Sequence, residues 1–320
     1  MTTARRADDV PGPVAVAQPD ALTLPVDGGD LRGGIWRAAD PGAPTVVAVH
    51  GITSNHLSWA KVARLLAGDT DRPCSVAAPD LRGRVLSAGL PGPWGLRRHA
   101  ADVLAVLDHL GVQRCVLVGH SMGAWVVALA AETAPERVAG LVLVDGGVSL
   151  PLAFDHGADP DQVMTAVLGP ALARLAKTYP DRDTYLAEWA AHPAFRGGLD
   201  RDQRACLMAD LVGSGFAWRS SVVADAIRAD GTELVVDDHV RDALGRTTGP
   251  AVLVRAARGL LDDDAVLLPP AAVDPLLAAR ADTSLVDAPH TNHYTVVMGE
   301  PGAVTTAGVI RDLVHATRAT

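Results

Sequence analysis

Ser121 stands between two glycines, in Gly119-His120-Ser121-Met122-Gly123, straight after the apolar run 115–118 and straight before the small-residue segment 124–131. The run is too short for a helix and reads as a strand buried on both faces, while the segment after it reads as a helix that can pack close to a sheet. A serine on so sharp a strand-to-helix turn sits in strained backbone, and flanking glycines remove the Cβ atoms that would meet the neighbouring strand and helix. The hydroxyl is thereby lifted clear of the sheet. It lies at a helix N-terminus, where the Met122 N–H and the helix dipole face the place at which an oxyanion would form. That is a setting for nucleophilic attack on a carbonyl.

The elements needed to hold such a serine occur in order. Segments 21–26 and 31–38, joined by Asp27-Gly28-Gly29-Asp30, read as a hairpin; 44–50 is a strand running into His50-Gly51-Ile52-Thr53; 75–79 is a further strand. Val103, Val106, Leu107 and Leu110 recur at helical spacing within 98–110, and Gly111 ends that helix. His99 and His109 fall off the apolar stripe and are expected to be solvated. After the serine, 138–144 is another buried strand, ending in Asp145-Gly146-Gly147 at the carboxyl edge of the sheet, where active sites of open α/β sheets collect.

Gly119-x-Ser121-x-Gly123, His50-Gly51 about 70 residues earlier and Asp80-Leu81-Arg82-Gly83-Arg84-Val85-Leu86-Ser87 together resemble the α/β-hydrolase superfamily. The resemblance spans 21–148 and 249–320. It implies an α/β fold with a mostly parallel central sheet, helices on both faces and an inserted helical cap. It also implies Ser121 as nucleophile, His293 as base, and the backbone N–H groups of Ile52 and Met122 as the oxyanion hole. His293 follows Asn292 as the family's base follows a Gly or Asn, and it is favoured over His290.

Two departures from the family pattern stand out. Val85 occupies the place of the usual second glycine after Asp80. Gly259 occupies the place of the usual triad acid after strand 250–256, with Asp262, Asp263 and Asp264 just beyond. Asp145 is therefore the expected acid, because it sits on the same sheet edge as Ser121 and keeps the order Ser, acid, His. Asp262 with its neighbours is the alternative.

Between 149 and 248 strand–helix alternation stops and helical segments follow one another with no strand signal, as in the helical cap of many superfamily members. Asp200 and Gln203 form a capping pair for a helix carrying Leu207, Met208, Leu211 and Val212. Tyr185, Trp189, Phe195, Phe216 and Trp218 read mostly as the cap's own core, with one or two facing a pocket.

At 320 residues and 48% hydrophobic, with mean hydropathy +0.18, the chain can bury a full core with one large insertion. The division expected is a tail over 1–20, a core over 21–148 and 249–320, and a cap over 149–248. A net charge of −9 argues against nucleic-acid binding. Cys74, Cys115 and Cys206 lack metal or redox spacing and are expected to be reduced core residues. No apolar run of about 18 residues and no signal-peptide pattern is present, so a cytoplasmic chain without a membrane partner is expected. No metal spacing or phosphate loop is seen, and no cofactor is expected. The resemblance implies a carboxylic ester or lactone as small-molecule substrate. Thioester, amide or C–C hydrolysis, acyl transfer, perhydrolysis and a receptor with little turnover stay open on the same fold; an aspartate-nucleophile epoxide hydrolase or dehalogenase is disfavoured by Ser121.

Overall fold

A computed structural model describes residues 18–149 and 169–318. Most of the expected tail and the segment 150–168 of the expected cap lie outside these residues.

Ten strands are described. Eight form one sheet in the order β1-β2-β4-β3-β5-β6-β9-β10. β1 (Asp20–Val26) and β2 (Gly29–Trp36) make the expected antiparallel hairpin. β2 pairs antiparallel with β4 (Ser75–Pro79). From β4 onward every pairing is parallel, through β3 (Thr45–Val49), β5 (Cys115–His120), β6 (Val138–Val144), β9 (Ala251–Arg258) and β10 (Thr283–Asn292).

The central strands read as continuous apolar runs because helices cover both faces. Val47, Val49 and Leu117 point into one core, packed with α2 (Leu96–His109) and α3 (Met122–Thr133). Val46, Ala48, Val116 and Val118 point into the other, packed with α1 (Ala60–Ala67) and the C-terminal helix (Glu300–Arg318). Burying a Val or Leu side chain fully stabilises by about 1.5–3 kcal/mol, so these two cores hold β5 rigidly under the turn that follows it. All three cysteines are buried and free.

The insertion between β6 and β9 departs from the all-helical expectation. It contains helical residues 169–175, α4 (Arg182–Ala190), α5 (Arg201–Ala209) and α6 (Ala224–Val236), but also a hairpin of β7 (Leu211–Ser214) and β8 (Ala217–Ser220). The expected capping box of Asp200 and Gln203 is present, yet α5 stops at Ala209. Asp210 explains the stop. Its carboxylate accepts hydrogen bonds from Ser220 Oγ at 2.8 Å, Ser221 N at 3.2 Å and Tyr185 Oη at 3.3 Å, which turn the chain back as a hairpin and take Leu211 and Val212 out of the helix. Phe216 at the hairpin tip is 89% exposed and so is no part of the insertion's core, whereas Tyr185, Trp189 and Phe195 are buried.

His99 is also corrected: it is fully buried, its Nε2 lying 3.0 Å from the Asp230 carboxylate on α6. The face of α2 that looks solvent-exposed relative to the sheet is covered by the insertion. His109 is exposed, as expected. Among the described residues, no helix is long and apolar enough to cross a membrane.

Candidate active site

Ser121 joins β5 to α3 with φ 54° and ψ −126°, a left-handed conformation that costs a non-glycine residue on the order of 1–3 kcal/mol. Backbone bonds hold it there: Ser121 N–H donates to Val144 O at 2.9 Å, and Ser121 O accepts from Ala124 N–H at 2.9 Å. The flanking glycines are sterically required. A Cβ on Gly119 would lie 2.2 Å from Gly123 O, and one on Gly123 would lie 2.3 Å from Val49 O. Met122 is the first residue of α3, so its N–H has no acceptor within the helix.

Asp145 follows β6 with φ 47° and is fully buried. Its N–H donates to Val254 O at 2.8 Å, and its Oδ1 accepts from Ala256 N–H at 3.2 Å, so β9 clamps both ends of the residue. The other oxygen, Oδ2, lies 2.7 Å from Nδ1 of His293. An ionised carboxylate only accepts, so Nδ1 carries the proton and Nε2 keeps its lone pair.

His293 is placed by an irregular end of β10. Asn292 Oδ1 accepts from the N–H groups of Tyr294 at 3.1 Å and Thr295 at 3.0 Å, bending the chain around the histidine. His120 adds a second support: its Nε2 donates to His293 O at 2.8 Å, and the two rings lie 4.8 Å apart. Burial pushes the His120 pKa well below the ordinary histidine range, so it is a neutral neighbour of His293.

The alternatives to these residues lie elsewhere. His290 is exposed. Asp262 Oδ1 faces Arg258 Nε at 3.3 Å and Asn292 Nδ2 at 3.3 Å, not His293. Gly259 itself has no room for a side chain, since a Cβ there would lie 2.2 Å from Ala265 O.

His50-Gly51-Ile52 meets the Ser121 turn, for a Cβ on Gly51 would lie 3.1 Å from Ser121 Cβ and 3.6 Å from its Oγ. His50 organises this approach. Its Nδ1 donates to Gly51 O at 2.8 Å while its Nε2 accepts from Leu81 N–H at 3.0 Å, and burial holds its pKa down to about 4, so it is neutral at pH 7. Arg84 fixes the next residue by donating from Nε to Ile52 O at 3.0 Å. Its guanidinium also bonds Asp230 of α6, and both side chains are fully buried. Burial alone would raise the Asp230 carboxyl, but Arg84 and His99 beside it hold its pKa at about 2. Val85, where a glycine is usual, takes φ 37° in this loop.

Ser121, His293, Ile52 and Met122 all line one cavity of about 520 Å³, roofed by the insertion. Tyr185, Trp189 and Phe195 reach it, one more than expected. Arg84, Asp230 and Arg174 carry no sequence signal of their place here. Arg84 lies inside a recognisable motif, but its partner is 146 residues away. Among the described residues no group of three or more His, Cys, Asp or Glu side chains could hold a metal ion.

Residues 44–180 match the model of a family described as alpha/beta hydrolase fold. The chain is 30% identical to Lipase LipV of Mycobacterium tuberculosis over 261 residues, covering 79% of this chain and 88% of that one. A shorter stretch is 36% identical to Epoxide hydrolase A of the same organism over 121 residues, 36% of each chain. Among solved structures, E-2-(acetamidomethylene)succinate hydrolase superposes with a TM-score of 0.74 at 21% identity, covering 92% of this chain and all of that one, 100%. At that identity the likeness is one of fold.

Proposed function

We propose that this chain, which belongs to the α/β-hydrolase family, is a serine hydrolase that cleaves a small-molecule carboxylic ester or lactone through an acyl-enzyme. The observation that carries the reading is the Asp145–His293 pair at 2.7 Å, whose imidazole lines the same cavity as a serine held at positive φ.

In this mechanism Ser121 Oγ attacks the carbonyl carbon as His293 Nε2 takes the hydroxyl proton. Asp145 keeps Nδ1 protonated and stabilises the imidazolium that forms. The tetrahedral oxyanion lies against the N–H groups of Ile52 and Met122, each such donor being worth about 3–4 kcal/mol in the transition state. Collapse breaks the C–O bond, and His293 returns the proton to the departing alkoxide. Water then attacks the acyl-serine with His293 again as base, releasing the acid and free Ser121. The insertion roofs the cavity, keeping bulk water out and setting which acyl and alcohol groups fit.

The test is a pre-steady-state burst. A short-chain 4-nitrophenyl ester should release close to one equivalent of 4-nitrophenolate per chain, followed by slower turnover. Ser121→Ala should abolish both phases. Absence of burst and turnover across a panel of esters, lactones and thioesters would instead identify a binding protein on this fold.

A further inference from the structure

The proposed hydrolysis makes no use of Arg174 in the cavity wall. Arg174, on the helical residues 169–175, lines the cavity with its guanidinium carbon 4.4 Å from the centroid of the Trp189 ring. Trp189 in turn lies 6.1 Å from the ring of Tyr294, and Tyr294 lies 5.7 Å from the ring of His293. Two aromatic rings thus lead along one wall from the guanidinium to the imidazole.

Among the described residues no carboxylate pairs with Arg174, although two line the same cavity. Asp210 is already taken by Ser220, Ser221 and Tyr185, and Asp263 accepts from Ala265 N–H at 3.3 Å. Arg241, the other arginine of this cavity, is by contrast engaged by Asp238 and by Val235 O. His192 beside Trp189 brings no competing charge: its Nδ1 accepts from Ala194 N–H at 3.2 Å, and burial first, then Arg174, lower its pKa.

The ring quadrupole holds a guanidinium over an indole face, and stacking does not use its in-plane N–H donors, which no carboxylate among the described residues engages. In a mostly apolar cavity those donors suit a planar anion that can accept two of them at once, which is the geometry of a carboxylate. We propose that Arg174 forms a carboxylate-binding subsite, so that the substrate is an ester whose acyl part carries a free carboxylate, as in a half-ester of a short dicarboxylic acid. The proposal rests on the serine-hydrolase reading for the reaction, but the anion subsite itself does not need turnover.

The experiment has two arms. In the first, kcat/KM for 4-nitrophenyl hydrogen glutarate is divided by that for 4-nitrophenyl valerate, a neutral ester of similar length. The ratio should be about tenfold or more in the native chain, should collapse towards one in a folded Arg174→Gln variant, and should be partly kept by Arg174→Lys, which retains charge without the planar fork. In the second arm glutarate is titrated calorimetrically into native and R174Q protein. Saturable binding should be seen in the native chain and be weakened about tenfold or more in R174Q. A ratio near one in the native chain, or a preference and glutarate affinity untouched by R174Q, would overturn the subsite. Arg174-dependent glutarate binding without hydrolysis of either ester would keep the subsite and remove the serine-hydrolase reading instead.

Discussion

Asp145 Oδ2 lies 2.7 Å from His293 Nδ1, across 148 residues of sequence and from a strand that is not the family's usual source of this acid. The carboxylate is oriented by Ala256 N–H of β9, so the strand after which the usual acid is missing still serves to aim the acid proposed in its place.

Asp145→Asn should lower kcat about 10³-fold or more with the fold retained, because an amide at this place favours the wrong imidazole tautomer. Asp262→Asn should change kcat by less than about tenfold, since its partners are Arg258 and Asn292. Steady-state kinetics on both purified variants decide; the reverse ranking would move the acid to the later loop.

Ser121 should be the sole site of fluorophosphonate labelling, with no adduct on Ser121→Ala by intact-mass spectrometry. Labelling and turnover should both be indifferent to EDTA, as the proposed steps need only protein groups and water. Activity lost to EDTA and restored by Zn²⁺ or Mg²⁺ would contradict the mechanism.

Asp230→Asn should destabilise the chain by about 3–5 kcal/mol, because it leaves the buried Arg84 guanidinium without its counter-charge. Arg84 also holds Ile52 O, so kcat should fall more than KM rises as the oxyanion donor loosens. The acid limb supplies a second check. The Asp230 pKa is held at about 2, below the ordinary 3.8, so its contribution is present above about pH 4 and lost as pH falls towards 2. Denaturant melts should show a flatter acid limb in the variant than in the native chain.

His50 loses stability in the same direction, as pH falls, but for the opposite reason: the fold favours its neutral form. Its pKa is about 4 in the fold against an ordinary 6.5, because burial disfavours the charged ring, so the fold prefers the neutral form. Stability from this group is full above pH 6.5 and is lost as pH falls from 6.5 to about 4, by about 3 kcal/mol in all at 1.36 kcal/mol per pH unit. His50→Gln keeps an acceptor in reach of Leu81 N–H but does not titrate. Its stability should fall less between pH 6.5 and 4 than that of the native chain; identical slopes would refute the assignment.

Short-range pattern made the Ser121 turn legible in the sequence. An apolar run, two glycines and a small-residue helix each act on neighbours a few residues away, and Gly119 and Gly123 have no alternative once backbone oxygens come within 2.2 and 2.3 Å of where a Cβ would be. His50-Gly51 and the succession of strands along the chain were legible for the same reason, and the family resemblance they carry implied the mostly parallel sheet. The choice of acid was legible only as a preference for Asp145 over Asp262. Asp145 and Asp262 both follow a strand and both precede His293, and only the parallel pairing of β6 with β9, which sets Val144 against Val254, delivers Asp145 to the imidazole. Sequence periodicity likewise described α2 against one core alone, and His99 looked solvated until α6 closed over it with Asp230. The hairpin of β7 and β8 escaped because four-residue strands leave no period to read, while the hydrogen bonds that form it converge on Asp210 from residues ten or more positions away. Arg174 was silent in the same way: a lone arginine in a short apolar helical segment acquires meaning only when folding stacks it on Trp189 inside the cavity and leaves it, among the described residues, without a carboxylate.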